Sequence, residues 1–242
     1  MKTEMNCEPY QIVYEFILSK EKIKRFHIFL DPKTISIMRP ERRSLPDWTR
    51  LDHHQCKDCT LENKNVFRCP IAVNIIEIVE TFKDMVSYDD CIVRCITPER
   101  IYQKNTSITE GLYSIFGVVM ATSNCPIMDF FKPMARFHLP FSSPEETSFR
   151  VTSMFLLRRY FELGKDGQLN IDMAQLKQQY VKVKSVNEGL YNRIRSLGTK
   201  DADKNAIIML HSLSEMFSSD IKYELDAIEY LFKPQNECNP AK

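Results

Sequence analysis

The stretch Asp52–Pro70, DHHQCKDCTLENKNVFRCP, constrains the fold more than any other part of the chain. It lies in a longer run, residues 39–69, that has neither the period of a helix nor that of a strand. A connection of that length without structure of its own is unusual unless it is functional or held by something. A bound metal would hold it. The stretch carries two adjacent histidines, a C-x2-C pair and a third cysteine.

Two residues between cysteines let one tight turn aim both sulfurs at a single ion. Cys56 and Cys59 have that spacing. Cys69 precedes Pro70 and the apolar run AVNIIEIVETF, so Pro70 reads as the first residue of a helix and Cys69 as its N-cap. Free backbone N–H groups and the helix dipole favour a thiolate there. Cys125-Pro126-Ile127 repeats Cys69-Pro70-Ile71 and offers a fourth sulfur at a second helix start. The set Cys56, Cys59, Cys69 and Cys125 is the expected ligand group. His54 is the alternative fourth ligand or a donor behind the ligands, with His53 beside it. Zinc is the expected ion. An iron–sulfur cluster is the alternative, since Cys-Pro also occurs in ferredoxin-type runs. The plain reading is four unconnected thiols buried as small apolar side chains.

Composition narrows the class. The chain has 242 residues, 43% hydrophobic and 27% charged, the balance of a globular protein. A net charge of +1 gives no field that would gather nucleic acid. No apolar run reaches the length of a transmembrane helix, and MKTEMNCEPYQ lacks the apolar core of a secretory signal. Eight cysteines then read as metal ligands or buried thiols of a cytoplasmic protein rather than as disulfides.

Periodicity predicts an α+β fold. Tyr10, Ile12, Tyr14, Phe16 and Leu18 alternate along a first strand. Phe26, Ile28 and Leu30 do so along a second, and Thr34–Met38 returns as a third, making an antiparallel meander over 8–38. His27 falls on the outer face. Trp48 is expected to pack the 39–69 loop onto the core. Residues 90–97 and 101–105 form a hairpin that completes the sheet, with Cys91 and Cys95 as core residues. Helices are expected at 70–83, from the capping box Ser107–Glu110, and from Ser143–Glu146 to about Leu163, stopped by Gly164. Gly111 and Gly117 are costly inside the second of these, and close packing against a neighbour would compensate. Met173, Leu176, Tyr180, Val183, Asn187, Leu190, Ile194 and Leu197 form a coiled-coil-type stripe with one polar member, Asn187. Ala206, Leu210, Leu213 and Phe217 supply the partner helix of an antiparallel hairpin. A short helix at 221–232 follows. The division is 1–140, an α+β part with the cysteine loop; 141–235, a helical part packed on it; and 236–242, a flexible tail.

LPDWTRLDHHQCKDCTL, CPIAVNIIEIVE, ATSNCPIMDFFKPMARFHLPF and EETSFRVTSMFLLRRYF together resemble an uncharacterised family of bacterial proteins. The resemblance implies a bacterial, cytoplasmic protein. It supplies no activity and no catalytic residue.

Two functions are consistent with these residues. One is a metal-stabilised interaction or regulatory module with a protein partner, the C-terminal hairpin offering the surface. Four sulfurs close a tetrahedral site and leave no position open for chemistry, and the chain has no nucleotide-binding glycine motif. The other is an enzyme using Asp129, Arg136 and His138, with His53 as a further candidate, on an anionic substrate, or, if the four cysteines hold an iron–sulfur cluster, a redox or oxygen sensor. A buried, hydrogen-bonded His138 is the structural counter-reading.

Overall fold

Alternation builds the sheet. The computed structural model describes residues 8–40, 44–163, 172–198, 200–219 and 221–232. The expected helix stop at Gly164 and the tail at 236–242 lie outside the described residues. Strands β1 (Tyr10–Ile17), β2 (Ile23–Leu30), β3 (Ile37–Met38), β4 (Asp90–Ile96) and β5 (Ile101–Ser107) form one antiparallel sheet in the order β3-β2-β1-β4-β5. The N-terminal meander and the later hairpin therefore meet edge to edge, with β1 paired to β4 so that Tyr14 stands opposite Cys95.

The inner face carries Ile12, Tyr14 and Phe16 of β1, Phe26, Ile28 and Leu30 of β2, and Cys91, Val93 and Cys95 of β4, all buried. His27 is exposed on the outer face, as expected. On that face Glu15 of β1 stands between Arg25 and Arg94, at 2.6 and 3.8 Å, a cross-strand charge arrangement. Both edges are blunted: β3 has two residues, and β5, IYQKNTS, is largely polar and exposed.

Helices α1 (Pro70–Phe82) and α2 (Ile108–Thr122) supply the layer against the sheet. Phe82 of α1 meets the ring of Phe16 with centroids 4.8 Å apart. Helix α2 is buried almost all round, as its uniformly apolar sequence requires. Gly111 is where α2 touches the sheet: a Cβ there would collide with the Phe16 ring and the Val93 side chain. Gly117 behaves otherwise. A Cβ there would meet nothing within 4 Å, which corrects the expectation that both glycines allow close packing.

Short helix α3 (Lys132–Arg136), then α4 (Pro144–Leu163), α5 (Ala174–Ser196), α6 (Ala202–Ser219) and α7 (Ile221–Asp226) complete the chain. The box at α4 closes in both directions, Ser143 N–H to Glu146 Oε2 at 2.8 Å and Glu146 N–H to Ser143 Oγ at 3.1 Å. At α2 only half of it forms: Glu110 N–H reaches Ser107 Oγ, while the Glu110 carboxylate turns to Thr106 and Lys104. Helices α5 and α6 are antiparallel, since Lys177 bonds Ser219 O, Lys184 pairs with Glu215 and Asn187 bonds Ser214. Leu176, Tyr180, Val183, Asn187, Leu190 and Ile194 of the expected stripe are buried.

Candidate functional site

The cysteine stretch is seated along one side of α5. Ser185, Gly189, Arg193 and Ser196 recur at three- and four-residue spacing, so they share a helix face distinct from the apolar stripe. Ser185 Oγ accepts the Asp58 N–H at 3.2 Å. Gly189 faces Cys56 so closely that an added Cβ would lie 2.9 Å from its sulfur, 3.2 Å from its Cα and 3.2 Å from His54 O. Ser196 Oγ bonds His53 Nε2 at 3.0 Å.

Arg193 is the centre of this seat. It is 1% exposed, and its guanidinium donates to Trp48 O at 2.9 Å, Arg50 O at 2.6 Å and Leu51 O at 2.8 Å. A buried charge is tolerated when it is well hydrogen-bonded, and here three backbone carbonyls accept from the two terminal nitrogens, while Nε is buried without a hydrogen bond. Further bonds tie the loop to itself. Arg50 and Arg68 form a β-bridge, Leu51 N–H bonds Phe67 O, Cys69 N–H bonds Thr49 O, and Arg68 reaches Pro46 O and Thr49 Oγ1. Two short 3-10 turns, Asp47–Thr49 and Glu62–Lys64, add regular backbone, and Trp48 packs against the core. The order of residues 44–69 thus has a source besides any metal, which corrects the argument that length alone called for one.

Cys56, Cys59, Cys69 and Cys125 are free thiols from three separate parts of the chain. The fold brings them into range of one another's charge. Burial, followed by the facing thiols of Cys69, Cys125 and Cys59, pushes Cys56 up to about 12, while the Arg193 charge acts in the opposite direction. Burial pushes Cys125 up to about 11, against backbone N–H groups of Met128 and Ile127 that point at its sulfur. Cys69 stands at the N-cap of α1 with Pro70 at the first turn, as its sequence predicts, though its side chain makes no cap hydrogen bond. Cys125 leads into a 3-10 turn, Met128–Phe131, before α3, rather than starting an α-helix directly. His54 is exposed, with a left-handed backbone (φ 49°) and its ring edge-on to His53. Among the described residues no group of three or more His, Cys, Asp or Glu stands in an arrangement that could hold a metal ion.

The second stretch singled out in the sequence comes apart. Asp129 pairs with Lys132 at 3.1 Å. Arg136 lies over the Tyr10 ring at 3.9 Å and reaches Glu99 at 3.4 Å. His138 shares a shallow groove with Arg136, but its Nε2 bonds the hydroxyl of fully buried Tyr14. Burial first, then the charge of Arg150, pushes the His138 imidazole down to about 3, so it is neutral and a poor proton donor near neutral pH. Asp129 does not line that groove.

Arg193, Gly189, Ser185 and Ser196 are the supporting residues that sequence reading missed. A three- to four-residue spacing of small residues interrupted by one arginine was visible in α5, but it signals a seat only once its occupant is known. No helix of the described chain is long and apolar enough to cross a membrane. No curated protein and no solved structure matches the chain. A family model described as a domain of unknown function, DUF6901, matches residues 12–233, and the chain belongs to that family.

Proposed function

We propose that the chain is a cytoplasmic bacterial binding module whose cysteine loop takes one structural zinc ion through Cys56, Cys59, Cys69 and Cys125. The observation that carries this reading is the gathering of four free thiols from a loop, a helix N-cap and the turn after α2 against the buried charge of Arg193. Burial holds the Cys56 and Cys125 thiols protonated, and the Arg193 charge and the backbone N–H groups at Cys125 offset that only in part, so in this reading the zinc ion itself displaces the thiol protons. Loading would draw the sulfurs to about 2.3 Å from the ion. Four sulfur ligands close the site, so its effect is on shape and stability rather than on a bound substrate.

The partner in this reading is a protein. The side of α5 carrying Gly189 and Arg193 is occupied by the chain's own loop, and in this reading α4 is the docking surface. It exposes Phe149, Leu157, Tyr160 and Phe161.

The test is metal analysis of protein prepared under reducing conditions without a histidine tag, followed by melting with and without chelator. One zinc per chain and a lower midpoint on chelation are expected. Cys69→Ala and Cys125→Ala should destabilise non-additively, because both act on one site. A brown protein absorbing near 400 nm would assign an iron–sulfur cluster instead. A metal-free protein whose midpoint ignores chelator would overturn the metal reading.

A further inference from the structure

We infer that the cavity between α2, α4, α5 and α6 binds a small carboxylic acid as its anion, the carboxylate resting on Arg150 and the apolar body lying along α2. The cavity has a volume of about 130 Å³ and is partly open to solvent. An engineered apolar cavity of about 150 Å³ in another protein takes up benzene, so this volume suits a body of one small ring. The wall has two parts. Gly117, Val118 and Ala121 of α2, Val183 of α5 and Leu210 and Leu213 of α6 make the apolar part. Ser114, about one turn before Gly117, accepts the Phe141 N–H at 3.0 Å. That bond brings the Ser142 and Thr147 hydroxyls, themselves 3.0 Å apart, to the polar part, which His138 and Arg150 also line.

Arg150 is the one charged residue among the described residues that line this cavity. Tyr113 and Tyr180 line it too, and burial pushes both phenols up, so they stay neutral. Burial, followed by the charge of Arg150 itself, keeps His138 neutral. Among the described residues no carboxylate pairs with the guanidinium. Glu146, one turn earlier on α4, acts on it only from a distance, because its carboxylate is engaged by the Ser143 N–H at 2.8 Å.

The donors of Arg150 are also only partly used. Nη2 alone makes its bonds, to Met134 O at 3.1 Å and Phe137 O at 2.8 Å. Nε and Nη1 have no partner among the described residues, and both keep accessible surface. Arg193 differs, since both of its terminal nitrogens are taken by carbonyls. A half-buried guanidinium with spare donors and no counter-ion is the arrangement that a carboxylate completes. The inference uses none of the cysteines, so it stands or falls separately from the metal reading.

The experiment measures benzoate, benzamide and formate binding to the full chain by ligand-observed NMR. Benzoate and benzamide share ring and shape and differ in charge. Benzoate is expected to bind about tenfold more tightly, the ratio by which a hydrogen bond to a charged group exceeds a neutral one. Formate, the charge without the body, should bind more weakly than benzoate by at least about tenfold. Arg150→Gln should remove the preference for benzoate over benzamide. Gly117→Leu should block both ring probes with the melting midpoint unchanged or raised, since a Cβ at Gly117 meets nothing within 4 Å and the added side chain enters the cavity. Equal affinity for benzoate and benzamide in the wild type, or binding of neither at millimolar concentration, would overturn the site. So would formate binding as tightly as benzoate, or benzoate binding undiminished in Gly117→Leu.

Discussion

Phe16 on β1 and Arg193 on α5 are both enclosed by the fold, one by rings and the other by carbonyl oxygens. Around Phe16 the neighbours are Phe82, Phe26 and Val93, and the stabilisation is apolar area removed from water. Around Arg193 the neighbours are Trp48 O, Arg50 O and Leu51 O, and the stabilisation is directional. The sheet side tolerates small displacements because apolar contact has no preferred angle. The cysteine loop depends on a few bonds in a fixed geometry, so it should open as a unit when one of them is lost.

The comparison can be broken most sharply at Phe16. Phe16→Ala should cost about 3–5 kcal/mol and speed hydrogen exchange throughout the described chain. If the loss of protection were confined to the sheet, the two regions would be independent rather than nested. Arg193→Met comes next, at about 3 kcal/mol, because three carbonyls lose their donor together. Here the amides of Leu51, Cys59 and Cys69 should lose protection before those of β1 and β4. Simultaneous loss would show that the loop is no separate unit.

His138 tests the sheet side with protons. Its folded value of about 3 lies below the ordinary 6.5, so the unfolded chain binds more protons between those values. The stability held by neutral His138 is complete above pH 6.5 and is lost as pH falls from there toward 3. After discounting for its partial exposure the loss should be on the order of 2 kcal/mol. Urea midpoints of wild type and His138→Gln across that range would show it, the variant having the flatter profile. Parallel profiles would mean that another group carries the acid sensitivity. The smallest effect is expected at Gly189. In Gly189→Ala the clash with Cys56 and His54 O, about 1–3 kcal/mol, is partly offset by the gain of about 1 kcal/mol in helix propensity. Net destabilisation near 1 kcal/mol, with faster exchange limited to the loop, would sharpen the contrast. Stabilisation would mean that the loop yields freely at this contact.

The same contrast explains what could be read in advance. Strands β1, β2 and β4 were legible because burying one face imposes a period of two on consecutive residues. Cys69 before Pro70 was legible because a helix start has local chemistry. Arg193 was not, since a charged residue in a helix reads as solvated unless its acceptors are known, and they lie in a loop without period. Gly111 and Gly117 look alike in sequence and differ only in what faces them, the Phe16 ring or an open cavity. Asp129 and His138 are nine residues apart, yet a 3-10 turn and α3 intervene, and one pairs with Lys132 while the other turns to Tyr14.

The seat on α5 also has a history during synthesis. Arg50 and Leu51 are separated from Arg193 by 143 and 142 residues. At roughly 5–20 residues per second, the cysteine loop leaves the ribosome some 7–30 s before the arginine that holds it exists. For that interval the loop lacks the side chain that its three carbonyls will bind. The loop is thus made early and placed late.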